Sequence, residues 1–297
     1  MGTGDGAWLV SPANLLDGAE RYLASRQCRD GGFCYYRSGY LEEPNLFDTW
    51  HAVAAFALLG RAVPRGAEVA AWLDGFDLAS QPPDALYYLA FSKRLLAAHW
   101  APDQATRARI AALPLAPPAR DINLSGWLAG TLRKTRLKAA FAHLGQAPAV
   151  VTALRTWHQG GYGLKPNLQD TELALELLAA LGEPDPGTET GRFVDALQDP
   201  QLGFRNTLDS RYVRLAILLA GVRCCLRLGL PVRFRDAILD LVRAARTGDG
   251  AFADVPGAVP TLDSHYRALA LLLTCGAQSQ PGRCQPVPGV GDSLWMR

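Results

Sequence analysis

The chain has 297 residues with a formal net charge of +2, 49% apolar and 20% charged side chains. That balance excludes a disordered polar chain, and the small charge excludes a nucleic-acid partner held by phosphate neutralisation. No run of about 20 apolar residues offers a membrane span, and no basic-then-apolar leader marks the start for secretion, so a cytoplasmic location is expected.

The first predicted element is an amphipathic helix over 13–26, with Glu20, Arg21 and Arg26 on its charged side. A Gly31-Gly32-Phe33 turn follows, then Pro44-Asn45-Leu46-Phe47-Asp48-Thr49, then Ala52 to Leu59 closing at Gly60. That last stretch is apolar nearly all round and must be buried on most sides. A second amphipathic stretch, 65–75, precedes Pro82-Pro83-Asp84 and an apolar run through Tyr87, Tyr88, Leu89, Phe91 and Leu95. A third, 103–113, precedes Asp121 and a run through Leu124, Trp127, Leu128 and Leu132. The basic cluster Arg133, Lys134, Arg136 and Lys138 reads as a solvated helix end, where cations are favourable.

The opening pattern then returns. After an outer stretch at 147–158 come Gly160-Gly161-Tyr162 and Pro166-Asn167-Leu168-Gln169-Asp170-Thr171, with an apolar helix ending at Gly182. Weaker copies follow stretches at 189–198 and 232–246. Gly203-Phe204 leads to Thr207-Leu208-Asp209-Ser210 and a helix expected from Arg211. Gly248 to Phe252 leads to Thr261-Leu262-Asp263-Ser264 and a helix from His265. Six helical hairpins with no polar end-caps favour a closed ring over an open solenoid. The expected fold is all-α, a single-domain α6/α6 toroid over 1–275. Residues 276–297 are a Gly- and Pro-rich loop, expected either to fold back over one mouth with Leu294 and Trp295 as an anchor or to be a disordered tail.

Asp48, Asp84, Asp121, Asp170, Asp209 and Asp263 each stand at an expected inner-helix start. Asp caps helix N-termini well and suits their positive end. A ring of such termini around one mouth could also favour an anionic group such as a diphosphate. The six cysteines, Cys28, Cys34, Cys224, Cys225, Cys275 and Cys284, show no C-x-x-C spacing. Neither a zinc ribbon nor a redox motif is indicated, and reduced thiols are expected.

The recurring Gly-Gly-aromatic turn, Pro-x-x-x-Asp-Thr segment and Ala/Leu-rich helix resemble the repeat of terpenoid cyclases and protein prenyltransferase β-subunits. The resemblance covers about residues 13 to 275 and is fullest around Asp48 and Asp170. It implies a toroid whose aromatic-lined centre holds an isoprenoid chain. Class II cyclases carry Asp-x-Asp-Asp before an inner helix, with the middle Asp as acid. Only the final Asp is present here, and the acid position holds Phe47, Gln169, Leu208 or Leu262. Prenyltransferases bind zinc through Asp-x-Cys and a later His. Thr49, Thr171, Ser210 and Ser264 replace the Cys, so three zinc ligands do not assemble. Mg2+ would enter only with a diphosphate substrate.

By the same alignment Phe47, His51, Tyr87, Tyr88, Gln169, Tyr212 and Tyr266 face inward, with His265 near the mouth. Aromatic faces attract cations, although aromatics at helical spacing also fill cores. Glu172 beside Asp170 offers a second carboxylate that could hold a proton. The candidate catalytic set is thus Asp170, Asp48, Glu172, Asp209 and Asp263. The expected activity is cyclisation or a related rearrangement of a prenyl diphosphate or prenylated small molecule. The alternatives are an isoprenoid-binding scaffold awaiting a partner protein, and a carbohydrate-active toroid, which needs two carboxylates across a cleft.

Overall fold

The computed structural model describes residues 12–38, 41–118, 123–184 and 187–276. Asp121 and the 277–297 tail, with Leu294 and Trp295, lie outside them. Among the described residues twelve helices are joined by short links. They are α1 (Pro12–Ser25), α2 (Leu46–Leu58), α3 (Gly66–Asp74), α4 (Pro83–Leu96), α5 (Gln104–Ala112) and α6 (Leu124–Phe141). The second half adds α7 (Pro148–Thr156), α8 (Leu168–Ala180), α9 (Thr188–Ala196), α10 (Leu215–Leu228), α11 (Arg235–Ala244) and α12 (Leu262–Gly276). Two antiparallel ribbons, β1 (Arg37–Ser38) with β2 (Leu41–Glu42) and β3 (Gln198–Asp199) with β4 (Gly203–Phe204), are two residues per strand. The protein is all-α, as its pattern predicts. No described helix is long and apolar enough to cross a membrane.

The apolar helices pack on one another in sequence order. α2 meets α4, α4 meets α6, α6 meets α8, α8 meets α10, α10 meets α12, and α12 returns to α2. Helices such as α2, buried from Ala52 through Phe56, tolerate neighbours on every side. The amphipathic helices lie against them, α3 on α4, α5 on α6, α9 on α10, α11 on α12 and α1 on α12.

The glycine turns explain how neighbouring units approach. Gly31 has φ +105°, and a Cβ there would lie 2.4 Å from the Glu68 carbonyl oxygen of α3. Gly250 has φ +90°, and its Cβ would lie 2.7 Å from the Gly18 carbonyl oxygen of α1. Only glycine combines that backbone conformation with that contact. The second contact joins the last outer helix pair to the first. The turn aromatics Phe33, Tyr162, Phe204 and Phe252 are all buried. A hydroxyl from the following inner helix ties three of these turns: Phe33 N donates to Thr49 Oγ1 at 3.0 Å, Tyr162 N to Thr171 Oγ1 at 3.0 Å, and Ser264 Oγ to the Phe252 carbonyl at 2.7 Å. The hydroxyls that stand where a zinc-binding cysteine would be therefore fasten the repeat.

Candidate functional site

The two fullest repeats build the same first turn. Asn45 and Asn167, not the aspartates, are the N-caps of α2 and α8. Their Oδ1 atoms accept from the amides of Asp48 at 2.8 Å and Asp170 at 2.9 Å. Their Nδ2 groups donate back to the Asp48 and Asp170 carboxylates at 2.8 and 2.7 Å. This is a reciprocal cap, with the aspartate in the third helical position. Asp48 also accepts from Tyr35 N at 3.1 Å, and Asp170 from Ser125 Oγ at 2.5 Å. Burial raises the Asp48 pKa against the pull of the Asn45 and Tyr35 bonds. These helices start two residues before the aspartates, within the two-residue margin expected, and Asn rather than Asp supplies the cap.

The surroundings of the two turns differ. Beside Asp48, the rings of Phe47, Trp50, His51, Tyr87, Tyr88 and Tyr266 form one cluster across α2, α4 and α12. Centroids are 4.3 Å apart for Phe47–His51, 5.3 Å for Phe47–Tyr88, 5.8 Å for Trp50–Tyr266 and 6.1 Å for Trp50–Tyr87. Phe47 is 40% exposed and Trp50 only 7%, so the cluster runs from the surface inward. Trp50 was missed by sequence reasoning, which followed the positions flanking the aspartate.

Within this cluster His51 Nδ1 meets the Phe47 carbonyl at 2.8 Å, and Nε2 meets Asp263 Oδ1 at 3.3 Å. Both partners offer acceptor oxygens to the ring. Arg267 holds the other Asp263 oxygen at 2.7 Å. Burial works against ionisation of Asp263, but the His51 bond and the Arg267 charge keep its pKa below the usual value. Arg267 and Arg214 also pair with Asp254, and Arg133 grips Asp84 through two bonds at 2.8 and 2.9 Å.

Beside Asp170 the chemistry is ionic. Gln169 and Asp170 line a polar cleft of about 410 Å³ with Ser125, Lys165, Asn167 and Asn206. Glu172 does not pair with Asp170; it lies one helical turn from Glu176, and the two are flanked by arginines. Arg223 Nη1 is 3.0 Å from Glu172 and 3.8 Å from Glu176 Oε1, while Arg136 pairs with Glu176 Oε2. Burial and the neighbouring Glu176 push the Glu172 pKa up. Burial opposes the Glu176 charge, but Arg136 and Arg223 outweigh it and hold that pKa down. The two shifts run in opposite directions because the buried carboxyls titrate as a coupled pair. Tyr266 and Tyr87 link it to the aromatic cluster, since Arg136 acts on both phenols; burial pushes Tyr87 up to about 12. The basic stretch of α6 is therefore not a solvated end. Arg133 and Arg136 reach carboxylates on α4 and α8, and Lys138 is buried.

Three expected positions fall elsewhere. Asp209 lies in the loop before α10, which starts six residues later at Leu215; it pairs with exposed Lys165 at 2.8 Å. Tyr212 is 57% exposed on that loop and outside the cluster. The α10 amides are instead capped from the next repeat: Leu215 N donates to the Asp254 carbonyl at 2.9 Å and Ala216 N to its carboxylate at 3.2 Å. Asn206 does the same for α8, taking Leu168 N at 2.8 Å. Both caps stand two residues past the turn aromatic, a spacing that could have revealed them. His265 sits between Tyr22 and Phe252, at 5.0 and 5.5 Å, rather than near the mouth. Burial drops its pKa to about 3, so it stays neutral.

Among the described residues no three His, Cys, Asp or Glu side chains gather as a metal-binding group. No protein-family model matches this chain, and no curated protein matches it.

Proposed function

We propose that the protein is an α6/α6 toroid that binds an isoprenoid small molecule and promotes its cyclisation or a related rearrangement. Support for the toroid comes from the contact cycle that returns from α12 to α2. The observation that carries the function is the aromatic cluster of Phe47, Trp50, His51, Tyr87, Tyr88 and Tyr266, next to the buried Glu172–Glu176 pair that Arg136 and Arg223 flank. An isoprenoid chain lies against the ring faces, burying apolar area. Its polar end stays on the exposed side beside Phe47, where Arg267 and Arg133 carry positive charge. A diphosphate there would bring Mg2+ with it as a partner of the substrate.

Glu172 is the proton donor in this reading, in place of the absent central Asp. Its proton passes to the ligand, leaving two carboxylates between Arg136 and Arg223, which stabilise the product charge. Positive charge that develops on the ligand faces Trp50 and Tyr266. Asp48 and Asp170 position helices and touch no ligand. Incubation with prenyl diphosphates and prenylated aromatic compounds, followed by mass spectrometry, tests the reading. Wild type forms a product, and Glu172→Gln binds the same compound without converting it. Product formation that survives Glu172→Gln removes Glu172 from the mechanism.

One observation favours a second reading, an isoprenoid carrier. Arg136 and Arg223 lie beside Tyr266, and their charges oppose a carbocation nearby. The carrier reading gives saturable quenching of Trp50 fluorescence by the same compounds and recovery of each compound unchanged.

A further inference from the structure

Cys28 and Cys34 stand on either side of Gly31-Gly32-Phe33, and their sulfurs are 3.1 Å apart. Cys28 N donates to the Gly32 carbonyl at 2.8 Å, Gly31 N to the Cys28 carbonyl at 3.1 Å, and Cys34 N to the Arg26 carbonyl at 3.2 Å. An antiparallel bridge between Gln27 and Phe33 fixes the two segments, and Arg65 Nη2 holds the Cys28 carbonyl at 2.8 Å. A disulfide needs about 2.05 Å between sulfurs, so about an ångström of side-chain movement closes the pair.

We propose that Cys28 and Cys34 are a reversible oxidation site that closes to an intramolecular disulfide in response to a peroxide. The order of events follows from the surroundings. Both thiols are buried, Cys34 at 2% exposure and Cys28 at 0%, but Cys34 adjoins Tyr35 and Tyr36, which are 41% and 58% exposed, so local opening of that segment reaches Cys34 first. Burial and the contact with Cys34 push the Cys28 thiol up, so Cys28 is the poorer first nucleophile. The Cys34 sulfur attacks one peroxide oxygen and becomes a sulfenic acid, while the other oxygen leaves and takes up the thiol proton as water. Cys28 then loses its proton and attacks the Cys34 sulfur, and the sulfenic oxygen departs as a second water. Two thiols and one hydrogen peroxide give one disulfide and two waters. A dithiol reductant restores both thiols by exchange.

The closed bridge spans the turn whose Tyr35 amide holds Asp48 and whose Phe33 amide holds Thr49. Oxidation therefore locks the α1–α2 link onto the first turn of α2.

The test uses the full reduced chain, treated with hydrogen peroxide, alkylated in denaturant and cut with trypsin. Arg29 lies between the two cysteines, so residues 27–29 and 30–37 stay joined only through a disulfide. The expected result is the joined pair of peptides, lost on treatment with dithiothreitol and absent from Cys34→Ser. In glutathione redox buffer, the native chain should hold this disulfide at least tenfold more firmly than the chain in urea. Both cysteines recovered as separate alkylated peptides, a Cys34 sulfinic acid without linkage, or equal strength in native and unfolded chains would overturn the proposal.

Discussion

The first turns of α2 and α8 share a sequence and a geometry, yet they face different chemistry. Asn45 and Asp48 cap one as Asn167 and Asp170 cap the other, and Thr49 and Thr171 tie the same kind of glycine turn. Aligned on those residues, Phe47 corresponds to Gln169, Trp50 to Glu172, His51 to Leu173 and Ala54 to Glu176. The repeated positions build the helix junction. The positions that differ put rings on the α2 side and paired charges on the α8 side. The lesson is that the shared aspartates mark structure, and function is to be sought where the copies diverge.

The largest break in this comparison comes from the ionic half. Glu176→Leu leaves Arg136 and Arg223 beside a single carboxyl and is expected to cost about 3 kcal/mol, read as a lower urea midpoint with unchanged slope. A loss below about 1 kcal/mol would mean that water screens these arginines more than their burial implies.

In the aromatic half the effect moves from stability to binding. Phe47 is partly exposed, so Phe47→Ala should cost under about 1 kcal/mol of stability while weakening ligand binding about tenfold, near 1.4 kcal/mol. Titration of Trp50 fluorescence and a thermal melt on the same sample separate the two.

The shared caps give a smaller effect. Asn167→Ala should cost about 1 kcal/mol, whereas Asp48→Asn and Asp170→Asn keep acceptor atoms for their partners and should each cost less than that. Thermal melts check all three. A catalytic role for either aspartate would appear instead as lost turnover at an unchanged melting temperature.

The smallest effect is a pH slope. Glu172 has a folded pKa above its ordinary 4.5, so its contribution to stability is complete below that value and is lost as pH rises through the folded value. Glu172→Gln cannot ionise. From about pH 5 to about pH 9, wild type should lose melting temperature relative to this variant; parallel curves would place the shared proton elsewhere.

The helices were legible because their signals are local. The outer stretch expected at 103–113 is observed as Gln104–Ala112, and that at 65–75 as Gly66–Asp74. The aromatic cluster was legible for Phe47, His51, Tyr87, Tyr88 and Tyr266, since each lies a turn or less from a repeat landmark or on the facing side of its helix. What local signals could not supply is partner choice between distant helices. Nothing near Glu172 in sequence points to Arg223, and the cap on α10 comes from Asp254 of the following repeat rather than from Asp209. The closeness of Cys28 and Cys34 was equally hidden, because a five-residue gap matches no redox spacing until the glycine turn folds it back.

The central claim is that ligand chemistry belongs to the aromatic half and that the repeated aspartates only build the junction. It is tested most directly by comparing Phe47→Ala and Asp170→Asn with wild type, using one isoprenoid compound and reading both retention and conversion by mass spectrometry. The account predicts that Asp170→Asn behaves as wild type and that Phe47→Ala loses about nine-tenths of both signals. Loss in Asp170→Asn with an undiminished Phe47→Ala, or no retention by wild type, would contradict it.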